Sequence, residues 1–189
     1  MLTGQARLSY CRVIKYLLRY FMVKNINVDI ADLANNGACF DLQFRKDTRH
    51  ERTNSPTYYR WKVQFIITGP KDSENIMQEI KKEIGCGNVN ILKNQARFSV
   101  QNIDHITEFI VPFFNKNKLS GNKKKDFDLW QKAVSIIQQN KGKYISKWKK
   151  SDLFSLIEIQ KSASKHKSNP REPRWIKMAQ TIAKNLSNL

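Results

Sequence analysis

The sequence is short of acid. Its 189 residues carry 16 Asp or Glu against 34 Lys or Arg, a formal charge of +18, and that imbalance implies a polyanionic partner. No apolar run approaches the roughly 20 residues of a membrane-spanning helix, so no membrane insertion is expected. Nucleic acid is then the better polyanion than a lipid surface. Cysteine is scarce as well: Cys11, Cys39 and Cys86 lie far apart with no CxxC pair. This argues against a disulfide framework or a zinc site and fits reduced thiols in an intracellular or organellar matrix. His50, His105 and His166 are equally scattered and read as surface residues. No metal and no cofactor is expected, and no internal repeat is visible.

What is present is enough for a folded globule. Hydrophobic residues make up 40% of the chain, with 10 Phe, 6 Tyr and 4 Trp among them, and 189 residues make one domain with extensions. Residues 1–28 contain no acid but do contain Arg7, Arg12, Lys15, Arg19 and Lys24. Leu8, Val13, Ile14, Leu17, Leu18, Phe21 and Met22 run between them, which predicts an amphipathic helix from about Ser9 to Val23. Two readings stand for it: a mitochondrial targeting segment, or a basic helix that packs on the domain or binds phosphate.

The stretch Ile30–Arg45 organises the rest. Its first half has Ala31, Leu33 and Ala34 at helical spacing, and Asn35-Asn36-Gly37 predicts a helix end through left-handed backbone. The period then changes to two, with Phe40, Leu42 and Phe44 alternating with Asp41, Gln43 and Arg45. A charged, turn-rich loop at Lys46–Pro56 leads to a second strand at Tyr59–Thr68. There Trp61, Val63, Phe65 and Ile67 face one way, and Arg60, Lys62, Gln64 and Ile66 the other. Gly69-Pro70 is expected to break it. Asp72 or Ser73 is expected to cap a helix to about Ile84. After Gly85-Cys86-Gly87 come two more strands, NVNIL and ARFSVQ, and a helix from Ile103 to the Pro112-Phe113-Phe114 region.

The order α-β-β-α-β-β-α resembles the half-domain of the LAGLIDADG homing endonucleases. IADLANNGACF resembles the family's signature helix and strand start, IGCGNV its Leu-Gly-x-Gly-x-Ile turn, VPFF its Ile-Pro-Phe-Phe, and KKKDFDLW its Lys-Lys-x-x-Asp-Phe-x-Leu-Trp helix start. Lys150–Lys167 also resembles the family's last helix. The resemblance implies an α+β fold, αββαββα, with an antiparallel four-stranded saddle sheet and a basic helical C-terminal extension. The expected organisation is a basic helix at 1–25, the LAGLIDADG-like domain at 26–167 and a basic tail at 168–189. Residues 115–189 hold 18 basic against five acidic residues.

The resemblance also implies a nucleic-acid face on the polar side of the sheet: Asp41, Gln43, Arg45, Arg60, Lys62, Gln64, Arg97 and Ser99. To it are added Lys123, Lys124 and Lys125, then Lys147, Lys149 and Lys150, then Arg171 and Arg174. In the family an acid at the foot of the signature helix holds a divalent metal, and here that position falls on Gly37 or, with a one-residue slip, on Asn36. A polar residue after the second strand falls on Gly69, and a lysine before the next helix falls on Asn122, one residue from Lys123. Neither register supplies a carboxylate. The expectation is therefore a protein that is not an enzyme and binds RNA, ribosomal or intronic, beside neighbouring proteins of a mitochondrial ribonucleoprotein such as the mitochondrial ribosome. Richness in Lys, Asn and Ile agrees with an organellar gene and a mitochondrial matrix location. The rivals are a group I intron maturase and a DNA-binding homing endonuclease with residual activity. Asp29, Asp32 and Asn35 make the signature helix too polar for a symmetric homodimer through Ile30–Asn36.

Overall fold

In a computed structural model of the chain, the described residues are 29–48, 57–165, 173 and 175–186. The expected helix at Ser9–Val23, and Arg171 and Arg174, lie outside them. Helix α1 (Ile30–Gly37) starts on a cap the sequence reading overlooked. The Asp29 carboxylate accepts hydrogen bonds from the amides of Ala31 (2.8 Å) and Asp32 (3.2 Å), two of the donors a helix start leaves free. Ile30, Leu33 and Ala34 are buried. Ala34 has no exposed surface at all and is part of the chain's own core.

The left-handed turn expected at Asn35–Gly37 does not form. Ala38, at φ −76° and ψ 153°, carries α1 straight into β1 (Ala38–Thr48). A jump in ψ at negative φ joins the two broad allowed regions, so no special residue is needed. Strand β2 (Thr57–Pro70) follows, then a 3-10 turn at Lys71–Ser73 and α2 (Glu74–Ile84). Gly69 and Pro70, expected to break β2, still pair with Ala96 and Gln95. A proline at the end of a strand interrupts little of the ladder. Ser73 makes no capping hydrogen bond and is instead buried.

Strands β3 (Asn88–Leu92) and β4 (Gln95–Val100) complete one four-stranded antiparallel sheet in the order β1-β2-β4-β3. Helix α3 (Ile103–His105) runs through a π turn at Ile106–Ile110 into α4 (Val111–Lys116). Then come α5 (Gly121–Gln139), a 3-10 turn at Ile145–Lys147, α6 (Lys150–Lys165) and α7 (Ile176–Asn185). The αββαββα order is as expected.

The chain forms two compact units. The first contains the described residues of 1–40 and 64–124. Its core is aromatic: Phe65 lies 5.3 Å from Phe40, 5.2 Å from Phe114 and 6.3 Å from Phe98, ring centre to ring centre. Ile76, Met77, Ile80 and Ile84 of α2 are buried at helical spacing. Each such side chain contributes about 1.5–3 kcal/mol by leaving water. Gly85 takes left-handed backbone at φ 84° and ends α2, as the IGCGNV turn requires.

The second unit contains the described residues of 41–63 and 125–189. Phe44 stacks on Tyr59 at 5.6 Å and tilts onto Trp61 at 5.0 Å. Two helical side chains satisfy β1 carbonyls: Trp130 Nε1 donates to Asp41 O at 3.0 Å, and Gln160 Nε2 to Leu42 O at 3.1 Å. Helix α7 packs on α6 and buries Ile176, Ala179 and Ala183. This part of the 168–189 segment is thus built into a core.

Candidate nucleic-acid interface

The foot of α1 is held by the chain itself. Asn35 Oδ1 accepts from the Ser120 amide at 3.0 Å, and Asn36 Nδ2 donates back to Asp32 O at 2.9 Å. Lys123 Nζ donates to the Ala38 carbonyl, where helix becomes strand. Lys123 is one residue off the position that the family pattern assigns to a lysine. Its long side chain nevertheless reaches the junction, while Asn122 is exposed. Gly69 lies buried in β2 opposite Ala96. The groups at the foot of α1 are thus the amides of Asn35 and Asn36, the glycine Gly37 and the Lys123 ammonium. A divalent cation needs hard anionic oxygens, and these residues do not fit one. Among the described residues no group of three His, Cys, Asp or Glu is placed to hold a metal.

On β1 and β2, the polar residues point away from Leu42, Phe44, Trp61 and Val63, as strand alternation requires. Arg45 and Arg60 are exposed; Asp41, Gln43 and Lys62 are half-buried. Gln43 Nε2 donates to Asp41 Oδ2, and Arg60 pairs with Asp47. These contacts fix two long side chains without covering them. Of the residues further along, Gln64 is 7% and Ser99 4% exposed. Both sit inside the sheet, Ser99 between Ile66 and Asn88. Arg97 stands between Thr68 and Asn90, half-buried, with its Nε buried and without a hydrogen-bond partner.

The lysines fall on two elements. Lys124 and Lys125 are exposed in the first turns of α5, whereas Lys123 is half-buried. Lys147 and Lys149 are exposed and Lys150 is half-buried at the start of α6. The structure adds three residues that sequence reasoning did not single out. Lys46 Nζ lies 5.8 Å from the ring centre of Trp175, which itself packs edge-on against Tyr59 at 6.0 Å. Trp175 has a φ of 69°, a conformation rare for a bulky residue. Tyr144 is 83% exposed. The alternation of lysine and aromatic in KGKYISKWKK is the sequence signal that could have found it.

A family model for the LAGLIDADG endonuclease matches residues 37–134, just over half of the chain. A probable intron-encoded endonuclease 3 of Neurospora crassa is 31% identical over 93 residues. That match covers 48% of this chain but 17% of the Neurospora protein, so the chain spans about a sixth of that relative. Among solved structures, the homing endonuclease I-TnaI superposes with a TM-score of 0.61 at 14% identity, covering 86% of this chain and all of that one. The meganuclease I-CpaMI bound to uncleaved DNA gives 0.61 at 19% identity, over 84% of this chain and 48% of that one. At such identities the structures show the fold. These names correct the expectation that the chain is not an enzyme: relatives named as endonucleases point to nuclease enzymes. The expectation rested on single positions of an aligned motif, and Lys123 shows the weakness of that step. A side chain can reach a site from a neighbouring position, because geometry and not register places it. By sequence and by fold, this chain belongs to the LAGLIDADG endonuclease family.

Proposed function

We propose that the chain binds nucleic acid on the polar side of its strands, as an endonuclease-type LAGLIDADG protein. One observation carries this reading. On β1 and β2, Arg45 and Arg60 stand exposed and Lys62 and Gln43 half-exposed, on the side opposite a buried row of Leu42, Phe44, Trp61 and Val63. Guanidinium forks and carboxamides grip phosphates and read base edges in a wide groove. Duplex DNA is the first target class, since I-CpaMI is named as bound to DNA. The residues at the foot of α1 supply no carboxylate, so no cleavage step is assigned to them.

A structured RNA is the second reading, favoured by the surplus of 18 basic over five acidic residues between 115 and 189. In that reading the partner is an intron or ribosomal RNA within a mitochondrial ribonucleoprotein, and the protein works in the mitochondrial matrix.

Titration of labelled duplex DNA and of structured RNA with the full chain, over a range of salt, tests both. Each lost phosphate contact flattens the slope of log K against log salt by about 0.9 on duplex DNA. The combined variant Arg45→Ala, Arg60→Ala, Lys62→Ala is expected to flatten it by up to about three such steps. An unchanged slope and affinity overturn the proposal. The target that stays bound at the higher salt decides between DNA and RNA.

A further inference from the structure

The loop between α5 and α6 carries a run of lysines, of which Lys143 Nζ donates to Gln139 O at 3.2 Å, and an aromatic ring that stands outside the core. Residues 141–150, KGKYISKWKK, hold five lysines and no acid. Tyr144 is 83% exposed, whereas among the described residues the next most exposed large hydrophobic one, Leu92, is at 44%. Such exposure in a slack loop would mean little, but this loop is tied. Asn140 Nδ2 donates to Ile136 O at 3.0 Å and to Asp152 Oδ2 at 2.9 Å, clamping the end of α5 to the start of α6. Gly142, at φ 78°, turns the chain, and the Lys143 amide returns to Asn140 O at 3.1 Å. Trp148 Nε1 donates to Lys143 O at 3.2 Å, and the Lys147 amide to Tyr144 O at 2.8 Å. The backbone is thereby held on both sides of Tyr144 while its ring stands in solvent.

A ring held out in this way forfeits burial and has little conformational freedom left to lose on binding. Five lysines around it demand an anionic partner, and the flat ring asks for a flat apolar face on that partner. Unpaired nucleotides offer both together: phosphates at regular spacing and bases with an open π face. A closed duplex hides its bases. We propose that the 141–150 loop is a second nucleic-acid contact, in which Tyr144 stacks on an unpaired base while the loop lysines hold the flanking phosphates. The inference rests on the chain being a nucleic-acid binder, and the experiment below separates the two.

Full-length protein is titrated against a labelled single-stranded 12-mer, the same sequence as a blunt duplex, and phosphatidylserine vesicles. Wild type, Tyr144→Ala, Tyr144→Phe and the triple strand-face variant above are compared. Tyr144→Ala is expected to weaken single-strand binding roughly 5- to 150-fold and to leave duplex binding within about twofold. Tyr144→Phe keeps the ring and is expected to behave as wild type. Lys141→Gln with Lys143→Gln is expected to lower the single-strand salt slope by about 0.7 per lysine. Single-strand binding that survives Tyr144→Ala overturns the inference, as does equal loss on the duplex. So does a Tyr144→Phe variant as weak as the alanine, and so does a Tyr144→Ala effect seen on vesicles but not on the strand. If duplex binding responds to the strand-face variant while Tyr144→Ala changes nothing, only this inference fails. If wild type binds no nucleic acid, both fail.

Discussion

Replacing Gly87 by alanine should unfold more of this protein's stability than its one added methyl suggests. A Cβ there would lie 2.5 Å from Phe98 Cε2, 2.8 Å from Phe98 Cζ and 2.9 Å from Val100 Cγ2. Phe98 has no exposed surface and Val100 has 1%, so neither side chain has a free direction in which to retreat. Overpacking of this kind costs about 1–3 kcal/mol. The backbone adds to it, because Gly87 sits at φ 101°, and such strain costs about 1–3 kcal/mol for a residue with a Cβ. The expected total is about 2–6 kcal/mol, against a whole-protein stability of about 5–15 kcal/mol. Gly121 is the internal control: its φ is 54°, with nothing within 4 Å of a built Cβ. Gly121→Ala therefore carries the backbone cost alone, about 1–2 kcal/mol. Urea unfolding followed by tryptophan fluorescence reads both. With a slope of about 2 kcal/mol per molar, a 4 kcal/mol loss moves the midpoint by about 2 M. If Gly87→Ala shifts the midpoint no further than Gly121→Ala, the close approach to Phe98 is not what holds this turn, and the reasoning is refuted.

Three further perturbations follow from contacts described above. Trp130→Phe keeps a ring at a 2%-exposed site but removes the donor to Asp41 O. It should cost at least about 1–3 kcal/mol in the same urea assay, and a change under about 0.5 kcal/mol counts against that hydrogen bond. Lys123→Met, which strips the ammonium from the Ala38 carbonyl, should cost about 1 kcal/mol. Lys125→Met on the exposed side should stay within about 0.5 kcal/mol, and equal effects would argue against a special place for Lys123. Burial, with the nearby Glu108 charge second, pushes the Cys86 thiol above its usual 9.0. Folding therefore holds the proton. Stability is kept below pH 9.0 and falls as pH rises toward and through the raised value. Cys86→Ser should flatten that fall, and maleimide should label the half-buried Cys39 faster than Cys86.

Much of the fold is legible in the sequence because each element buries one face. Phe40, Leu42 and Phe44 repeat at two, and Ile76, Met77, Ile80 and Ile84 at helical spacing, so those element types follow from periodicity alone. The Gly85-Cys86-Gly87 turn is legible for a similar reason, since both glycines take positive φ where a side chain would be strained. Boundaries are less legible. Pro70 stays in β2 because an end position forgives a missing amide, and the helix-to-strand junction at Ala38 needs no glycine.

The candidate site divides along the same line. Charge, alternation and the family pattern belong to the sequence by itself: they determined that the chain is basic, that Arg45, Arg60 and Lys62 share a side opposite the core, and that the fold is LAGLIDADG-like. Accessibility belongs to the tertiary structure. Gln64 and Ser99 have the same alternation as Arg60 and Arg97, yet both are buried, because exposure in a sheet depends on partners across the strands and those partners are distant in sequence. The same holds for Lys123, which meets Ala38 across 85 positions of chain, and for Tyr144, displayed only because Asn140, Asp152 and Trp148 tie its loop. Periodicity is a property of neighbours along the chain; which donors remain free for a ligand is decided by neighbours in space.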